Sequence, residues 1–161
     1  MSRLRPAPPV QVRRSKIQGR GVFATRAIAS GERIVEYTGL LITNEEAEAQ
    51  ADDEGMHRHH TFLFGVDDRY TVDGARGGNE ARFINHSCAP NCESEVEGLR
   101  VFIDALRDIE AGEEVTYDYW YTTDEDYTLA DLRRIYPCRC KAVTCRGTLA
   151  RPPRRRRRKA S

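Results

Sequence analysis

The sequence predicts a mostly β domain of small curled sheets with few short helices. Two observations carry this prediction. Strand-like runs of four to six residues, rich in β-branched and aromatic side chains, recur between glycines and polar turns. Helix signals are few, because only two short segments combine a capping residue with helix-forming side chains.

The strand-like runs follow one another through most of the chain. They are residues 21–24, 33–38, 61–66, 69–73, 99–104 and 115–119. Thr43 and Glu46 form a capping-box pattern that opens a helical turn or two, and residues 128–136 predict a second short helix with Asp131 in its third helical position. Residues 1–15, rich in proline and arginine, predict a flexible basic lead-in, and residues 150–161 a disordered arginine-rich tail.

Composition excludes several classes of protein. The 161 residues contain no apolar stretch long enough to span a membrane, and residues 1–12 have no apolar core typical of a secretion signal, so we expect an intracellular protein. Of 26 basic residues, six lie in residues 1–20 and seven in residues 151–161, which leaves 13 basic against 25 acidic residues in between. An acidic body favours a basic protein segment as partner. The arginine-rich tail indicates affinity for phosphates or acidic surfaces, or a nuclear-import signal, and the alternative is a solvated end that keeps the protein soluble.

Five cysteines in a reducing compartment indicate metal ligation better than disulfides. Cys138, Cys140 and Cys145 form a C-x-C-x4-C cluster, and a tetrahedral zinc site requires a fourth ligand, from either Cys88 or Cys92. Buried, metal-free cysteines are the alternative. The histidines of residues 57–60 are a rival metal site, although a polar histidine-rich loop is more typical of solvated surface.

Three further stretches combine with this cluster. They are GRGVF at residues 19–23, ARFINHSCAPNC at residues 81–92 and GEEVTYDY at residues 112–119. In this order, and followed by C-x-C-x4-C, they resemble the SET-domain protein lysine methyltransferases with a post-SET zinc segment. The resemblance covers residues 15–149. It implies a β-clip of small curved sheets with a pseudoknot, and S-adenosylmethionine as methyl donor, converted to S-adenosylhomocysteine.

The resemblance also implies the site residues. The methyl donor would be bound by residues of the first stretch, the second stretch and the post-SET segment: Gln18, Arg20, Gly21, Val22, Asn85, His86 and Arg139. Phe62 stands where close relatives often carry a tyrosine that touches the polar end of the donor. The zinc ligands would be Cys88, Cys138, Cys140 and Cys145, with Cys92 left over.

A lysine channel follows from the same resemblance. Tyr37, Tyr117 and Tyr119 match the aromatic residues that line it, and Tyr119 is the candidate for the hydroxyl that orients the transferred methyl group. The pKa of an ammonium group beside a sulfonium is lowered both by loss of hydration and by repulsion between the two positive charges, so its proton can leave to water. Tyr117 occupies a Phe/Tyr position that governs how many methyl groups are added, and its hydroxyl favours mainly mono-methylation with some dimethylation.

The expected organisation is a lead-in at residues 1–15, a SET domain at 16–121, a linker and post-SET zinc segment at 122–149, and the tail at 150–161. The acidic run at residues 124–126 is a candidate peptide-binding rim. Expected substrates are histones or histone-like and DNA-binding proteins, for a monomer or homodimer in a bacterial cytoplasm, or in the nucleus of a eukaryotic or host cell. The alternative is a silent SET-fold module that binds basic peptides, or nucleic acid through residues 151–159.

Overall fold

The computed structural model describes residues 6–53, 62–122 and 126–152. It is dominated by short strands, which confirms the predicted mostly β class. In chain order the elements are β1 Val10–Arg14, β2 Arg20–Ala24, β3 Arg33–Tyr37, β4 Leu40–Thr43, α1 Asn44–Asp53, β5 Leu63–Gly65, β6 Tyr70–Asp73, a 3₁₀ helix Glu80–Phe83, β7 Asn85–His86, β8 Cys92–Glu97, β9 Arg100–Ala105, β10 Glu114–Tyr117 and α2 Leu129–Ile135.

The strands form three small sheets. Their orders are β1-β2-β10-β7, β3-β9-β8 and β4-β6-β5. In the first sheet β2 pairs with β10, so Val22 lies opposite Val115, and β10 pairs in parallel with β7, so Thr116 lies opposite Asn85. This sheet therefore places the second and third sequence stretches of the resemblance side by side.

One apolar core joins the three sheets. Val22, Val35, Val72, Val101 and Val115 are buried in it, at most 7% exposed. Each fully buried valine contributes roughly 1.5–3 kcal/mol to folding through removal of apolar surface from water.

A second, smaller core lies under α2. It is formed by Leu132, Tyr136, Leu149 and Ala150. Tyr119 packs against both cores, so residues 129–150 are attached to the sheets through an aromatic residue of the predicted channel.

Both predicted helices are present. Thr43 and Glu46 cap α1 reciprocally, since the Glu46 carboxylate accepts from the Thr43 N–H at 2.8 Å and the Thr43 hydroxyl accepts from the Glu46 N–H at 3.2 Å. Thr128 and Asp131 form the same arrangement at α2. Within the described residues, no helix has the length and apolar character needed to span a bilayer.

The structure differs from the expected organisation at both ends of the described part. Residues 10–14 form β1, and do not belong to a flexible lead-in, because Val10 and Val12 pack against the core while the backbone pairs with β2. Ala150 is fully buried and forms a bridge with Tyr121, so it does not belong to a disordered tail. Residues 57–60, 124–125 and 153–161, for which a histidine loop, an acidic rim and the tail are predicted, lie outside the described residues.

Candidate functional site

Two pockets meet at the junction of the cores. The first is lined by Ile17, Gln18, Gly19, Arg20, Phe62, Arg82, Phe83, Asn85, His86, Tyr119, Tyr121, Pro137, Arg139 and Leu149. The second is lined by Tyr37, Leu63, Phe64, Gly65, Arg82, Ser94, Val96, Tyr117, Tyr119, Trp120, Tyr121 and Thr122. Arg82, Tyr119 and Tyr121 line both, so these three side chains separate two adjoining spaces.

The wall of the first pocket depends on Asn85. Its side-chain amide donates to the backbone carbonyls of Gln18 and Arg20, at 3.2 and 2.9 Å, and to Glu114 Oε1 at 2.9 Å. Ser15 donates to the same Glu114 carboxylate at 2.8 Å. The turn between β1 and β2 is therefore held in place by residues from β7 and β10.

Gly21 provides the room for this carboxylate. A Cβ atom at residue 21 would lie 2.2 Å from Glu114 Oε1, too close for any side chain unless the carboxylate moves. Val22 is fully buried in the core. Neither residue is among those lining the first pocket, so a contact of Gly21 or Val22 with a ligand stays a prediction. The other predicted binding residues do line it: Gln18, Arg20, Phe62, Asn85, His86 and Arg139.

The three predicted channel tyrosines come together at the second pocket. The rings of Tyr117 and Tyr119 are 5.0 Å apart between centroids. Tyr37 donates its hydroxyl to the Phe62 carbonyl at 2.8 Å, and Tyr119 donates to the Ile84 carbonyl at 2.5 Å. Burial raises the pKa of all three phenols, so they are uncharged at neutral pH.

The Tyr117 hydroxyl differs from the other two. No group in the described part of the chain donates to it or accepts from it, whereas the hydroxyls of Tyr37 and Tyr119 are both engaged by carbonyls. Tyr117 lines the second pocket, so its hydroxyl is available to a water molecule or an amine.

Four cysteine sulfurs lie together beside the first pocket. The Sγ atoms of Cys88, Cys138, Cys140 and Cys145 all lie within 4.8 Å of one another. Cys88 Sγ is 3.7 Å from Cys138 Sγ and 3.9 Å from Cys145 Sγ. A tetrahedral site with Zn–S bonds of about 2.3 Å has S–S edges of about 3.8 Å, so these thiols match the size of a zinc site.

Cys92 lies apart from this cluster. Its side chain is fully buried in the core, and burial raises the pKa of its thiol to about 12. Of the two candidates for the fourth ligand, the structure places Cys88, and not Cys92, with the other three sulfurs.

His86 connects the cysteine cluster to the tyrosines. Its Nδ1 atom accepts from the Tyr119 N–H at 3.0 Å, so the ring proton is on Nε2, which lies 3.3 Å from Cys88 Sγ. Burial lowers the pKa of His86 to about 4, which keeps the ring neutral. The imidazole thus donates to a cysteine sulfur while it positions the backbone of a channel residue.

Asp118 and Arg146 form a second connection. Arg146 Nη1 and Nη2 donate to the two Asp118 carboxylate oxygens at 2.6 and 2.7 Å. Asp118 lies between the channel tyrosines in the sequence, and Arg146 follows Cys145, so the ion pair ties the cysteine segment to the channel.

Five residues of the site were not predicted from the sequence: Arg82, Glu114, Asp118, Tyr121 and Arg146. Only Asp118 carried a signal, because it lies between two candidate residues.

Comparison with known proteins agrees with this geometry. The profile of the SET domain family matches residues 19–120, which is more than half of the chain and includes most of the residues that line the two pockets. This chain belongs to the SET domain family. The match ends before the cysteine cluster at residues 138–145, so three of its four sulfurs lie beyond the matched SET domain.

Similar SET domain proteins are histone methyltransferases by name. Histone-lysine N-methyltransferase 2B of Homo sapiens is 42% identical over 147 residues, which cover 87% of this chain and 5% of that protein. The H3 lysine-4 specific histone-lysine N-methyltransferase of Saccharomyces cerevisiae is 39% identical over 148 residues, 88% of this chain and 13% of that protein. The chain thus spans a small part of the length of these relatives.

A solved structure shares the fold. It is a humanized mutant of the Chaetomium thermophilum Polycomb Repressive Complex 2 bound to the inhibitor GSK126. It matches with a TM-score of 0.62 and 34% sequence identity, over 70% of this chain and 15% of that chain. The arrangement of small sheets is therefore that of a SET domain.

Proposed function

We propose that this chain is an S-adenosylmethionine-dependent protein-lysine N-methyltransferase that acts on a lysine in a histone or another basic protein segment. The observation that carries the proposal is the pair of pockets that meet at Tyr119. A methyl transfer between two large substrates requires two binding spaces joined where the reacting atoms meet, because donor and acceptor must be aligned in line.

The first pocket suits the methyl donor. The aromatic rings of Phe62, Phe83 and Tyr119 offer apolar faces for a purine, and Arg20 and Arg139 offer cationic groups for an amino-acid carboxylate. The backbone of Gly19, at a positive φ of 45°, brings the turn close to the space without a side chain. Gln18, Arg20, Phe62, Asn85, His86 and Arg139 would surround the ligand, with Gly21 and Val22 behind them.

The second pocket suits the lysine. Bound S-adenosylmethionine supplies a methyl group on a sulfonium sulfur, which keeps the C–S electron pair as the neutral lysine nitrogen forms the new C–N bond. Tyr37, Tyr117 and Tyr119 surround the lysine side chain and exclude water, which lowers the pKa of its ammonium group so that a proton leaves to solvent beforehand. No covalent nucleophile of the enzyme is required.

Tyr119 has the central role. Its hydroxyl hydrogen is committed to the Ile84 carbonyl, so its oxygen can only accept further contacts. A fixed acceptor at the junction of the pockets orients the methyl group through weak C–H···O contacts and stabilises the charge that is transferred.

The product is mainly mono-methyl-lysine, with some dimethyl-lysine. The buried hydroxyl of Tyr117 can hold a water molecule or the amine, and thereby occupies the space that an amine carrying methyl groups would require.

Zinc bound by the four cysteines is structural in this proposal. Four thiolates complete a tetrahedron and leave no open position for water. The metal would fix the position of Cys88, and through Cys88 the positions of His86 and of the Tyr119 backbone. This connection would give a metal site beside the pockets a role in shaping them.

The acidic charge of residues 21–150 favours a basic substrate. The relatives named above act on histones according to their names, and histones are basic. Both features support a lysine within a basic segment.

The test is transfer of labelled methyl groups from S-adenosylmethionine to recombinant histones and a bacterial histone-like protein, with metal-loaded protein. We expect label on lysine, and its loss in Tyr119→Phe and Asn85→Ala. Tyr70→Phe is the matched control, because Tyr70 lines neither pocket. Label that persists in both pocket variants contradicts the mechanism. No label from metal-loaded, donor-binding protein, together with salt-sensitive binding to DNA, favours the silent binding module instead.

A further inference from the structure

Arg82 lies at the junction of the two pockets and lines both of them. Its Nη1 donates to the Gly74 carbonyl at 3.2 Å, and its guanidinium carbon lies 5.6 and 4.7 Å from the ring centroids of Phe62 and Phe83. Its Nε is buried and has no hydrogen-bond partner in the described part of the chain. The side chain is therefore held between aromatic rings, and no carboxylate among the described residues forms an ion pair with it.

The charges around Arg82 are mostly positive. Arg20, Arg82 and Arg139 line the first pocket, and no Asp or Glu is among the described residues that line either pocket. The carboxylate of Asp73, next to Gly74 in the chain, is paired with Arg76 at 2.7 Å. The titratable and charged groups that line the two pockets together with Arg82 are Arg20, Tyr37, His86, Tyr117, Tyr119, Tyr121 and Arg139, and the Glu114 carboxylate lies behind Asn85 in the wall of the first pocket.

We propose that Arg82 promotes methyl transfer through its fixed positive charge, which disfavours the sulfonium of S-adenosylmethionine and the ammonium form of the substrate lysine. This inference rests on the proposed function. S-adenosylmethionine carries one more positive charge than S-adenosylhomocysteine, so an uncompensated arginine favours binding of the product form. The same charge at the second pocket favours the neutral lysine amine, which is the nucleophile.

The size of the effect follows from Coulomb's law. A unit charge about 10 Å away, in a medium of effective dielectric constant about 20, shifts a pKa by roughly one unit. The same interaction changes the ratio of two dissociation constants about tenfold when the ligands differ by one charge.

The first test is calorimetric binding of both ligands. We expect wild-type protein to bind S-adenosylhomocysteine about tenfold or more tightly than S-adenosylmethionine. Arg82→Gln and Arg82→Met, which keep the side-chain stem between the rings, should bring the ratio towards one, and Arg82→Lys should retain the preference. The proposal is overturned if wild-type protein binds the two ligands with equal affinity, or if Arg82→Gln weakens the binding of both ligands by the same factor. If the uncharged variants do not fold, the test is the affinity ratio of the two ligands in wild-type protein and in Arg82→Lys, which should both favour S-adenosylhomocysteine.

The second test is the pH profile of single-turnover methyl transfer. We expect the midpoint of the rising limb to move up by about one pH unit in Arg82→Gln, because the substrate ammonium becomes harder to deprotonate. Arg69→Gln is the matched control, since Arg69 also lies over an aromatic ring, that of Tyr70, but lines neither pocket, and the midpoint of this variant should stay at the wild-type value. An unmoved midpoint in Arg82→Gln contradicts the action on lysine. Protein that binds neither ligand contradicts the proposed function itself.

Discussion

Replacing Arg146 by methionine should destabilise the protein strongly. Arg146 and Asp118 form a bidentate ion pair whose side chains are only 17% and 12% exposed. Arg146 also stacks over Trp120, with its guanidinium carbon 4.6 Å from the ring centroid. Methionine keeps most of the side-chain stem and removes the guanidinium, which leaves the Asp118 carboxylate largely buried without its charged partner.

The expected loss in the free energy of unfolding is about 3 kcal/mol. Removing one partner of a buried ion pair costs about 3–5 kcal/mol, and the residual exposure of both side chains places this pair at the lower end. At roughly 2–4 °C per kcal/mol for a chain of this size, the melting temperature should fall by about 6–12 °C. Combining Arg146→Met with Asp118→Asn should cost less than the sum of the single changes, by about 2 kcal/mol, because the buried unpaired charge is then absent.

The assay is urea unfolding followed by circular dichroism, with zinc at saturating concentration. Arg26→Met is the matched control, because Arg26 pairs with Glu32 at the same distance of 2.6 Å, yet its side chain is 55% exposed. An exposed pair contributes little to stability, because water and salt screen both charges. If Arg146→Met loses no more than Arg26→Met, or if the two changes at Arg146 and Asp118 are additive, the reasoning about this ion pair is wrong.

Three further predictions concern the site itself. Tyr117→Phe should shift the product seen by mass spectrometry from mono-methyl-lysine towards higher states while activity is retained, and an unchanged product distribution would contradict the role of its hydroxyl. Removal of zinc by a strong chelator should lower both melting temperature and methyl transfer, and full turnover by protein shown to be metal-free would refute this. Gly21→Ala should weaken S-adenosylmethionine binding about tenfold, since the new Cβ atom would lie 2.2 Å from Glu114 Oε1 and displace the carboxylate. Gly65→Ala is the control and should bind as wild type does, because a Cβ atom there would meet no atom within 4 Å. Equal affinities of Gly21→Ala and wild-type protein would show that Glu114 does not shape the pocket.

Local patterns predicted the elements that depend on neighbouring residues. Both helices carry their capping residues within four positions, and the C-x-C-x4-C spacing placed three sulfurs together. The choice of Cys88 over Cys92 could not be made from spacing alone, because it depends on which side of the turn before β8 faces the post-SET segment. β1 was missed because the prolines and arginines around it obscured the alternation of Val10 and Val12.

The pocket walls were beyond local reasoning for a physical reason. The bond between Ser15 and Glu114 joins residues 99 positions apart, and the bond from Asn85 to Gln18 spans 67 positions. Such pairings are decided by the whole fold. The resemblance to SET domains indicated which residues form the site. The structure shows what holds two of them in place: the Glu114 carboxylate accepts from the Asn85 amide, and the His86 ring accepts from the Tyr119 N–H.

The pairing of β2 with β10 has a consequence for how the protein forms in the cell. Val22 leaves the ribosome long before its partner Val115, and the sheet that carries both cannot close until the later strand has been synthesised. Contacts between such distant residues slow folding, because much chain entropy is lost before the contact forms. Until then the edge of β2 that pairs with β10 has no partner strand, and an unpaired strand edge is the kind of surface at which aggregation begins.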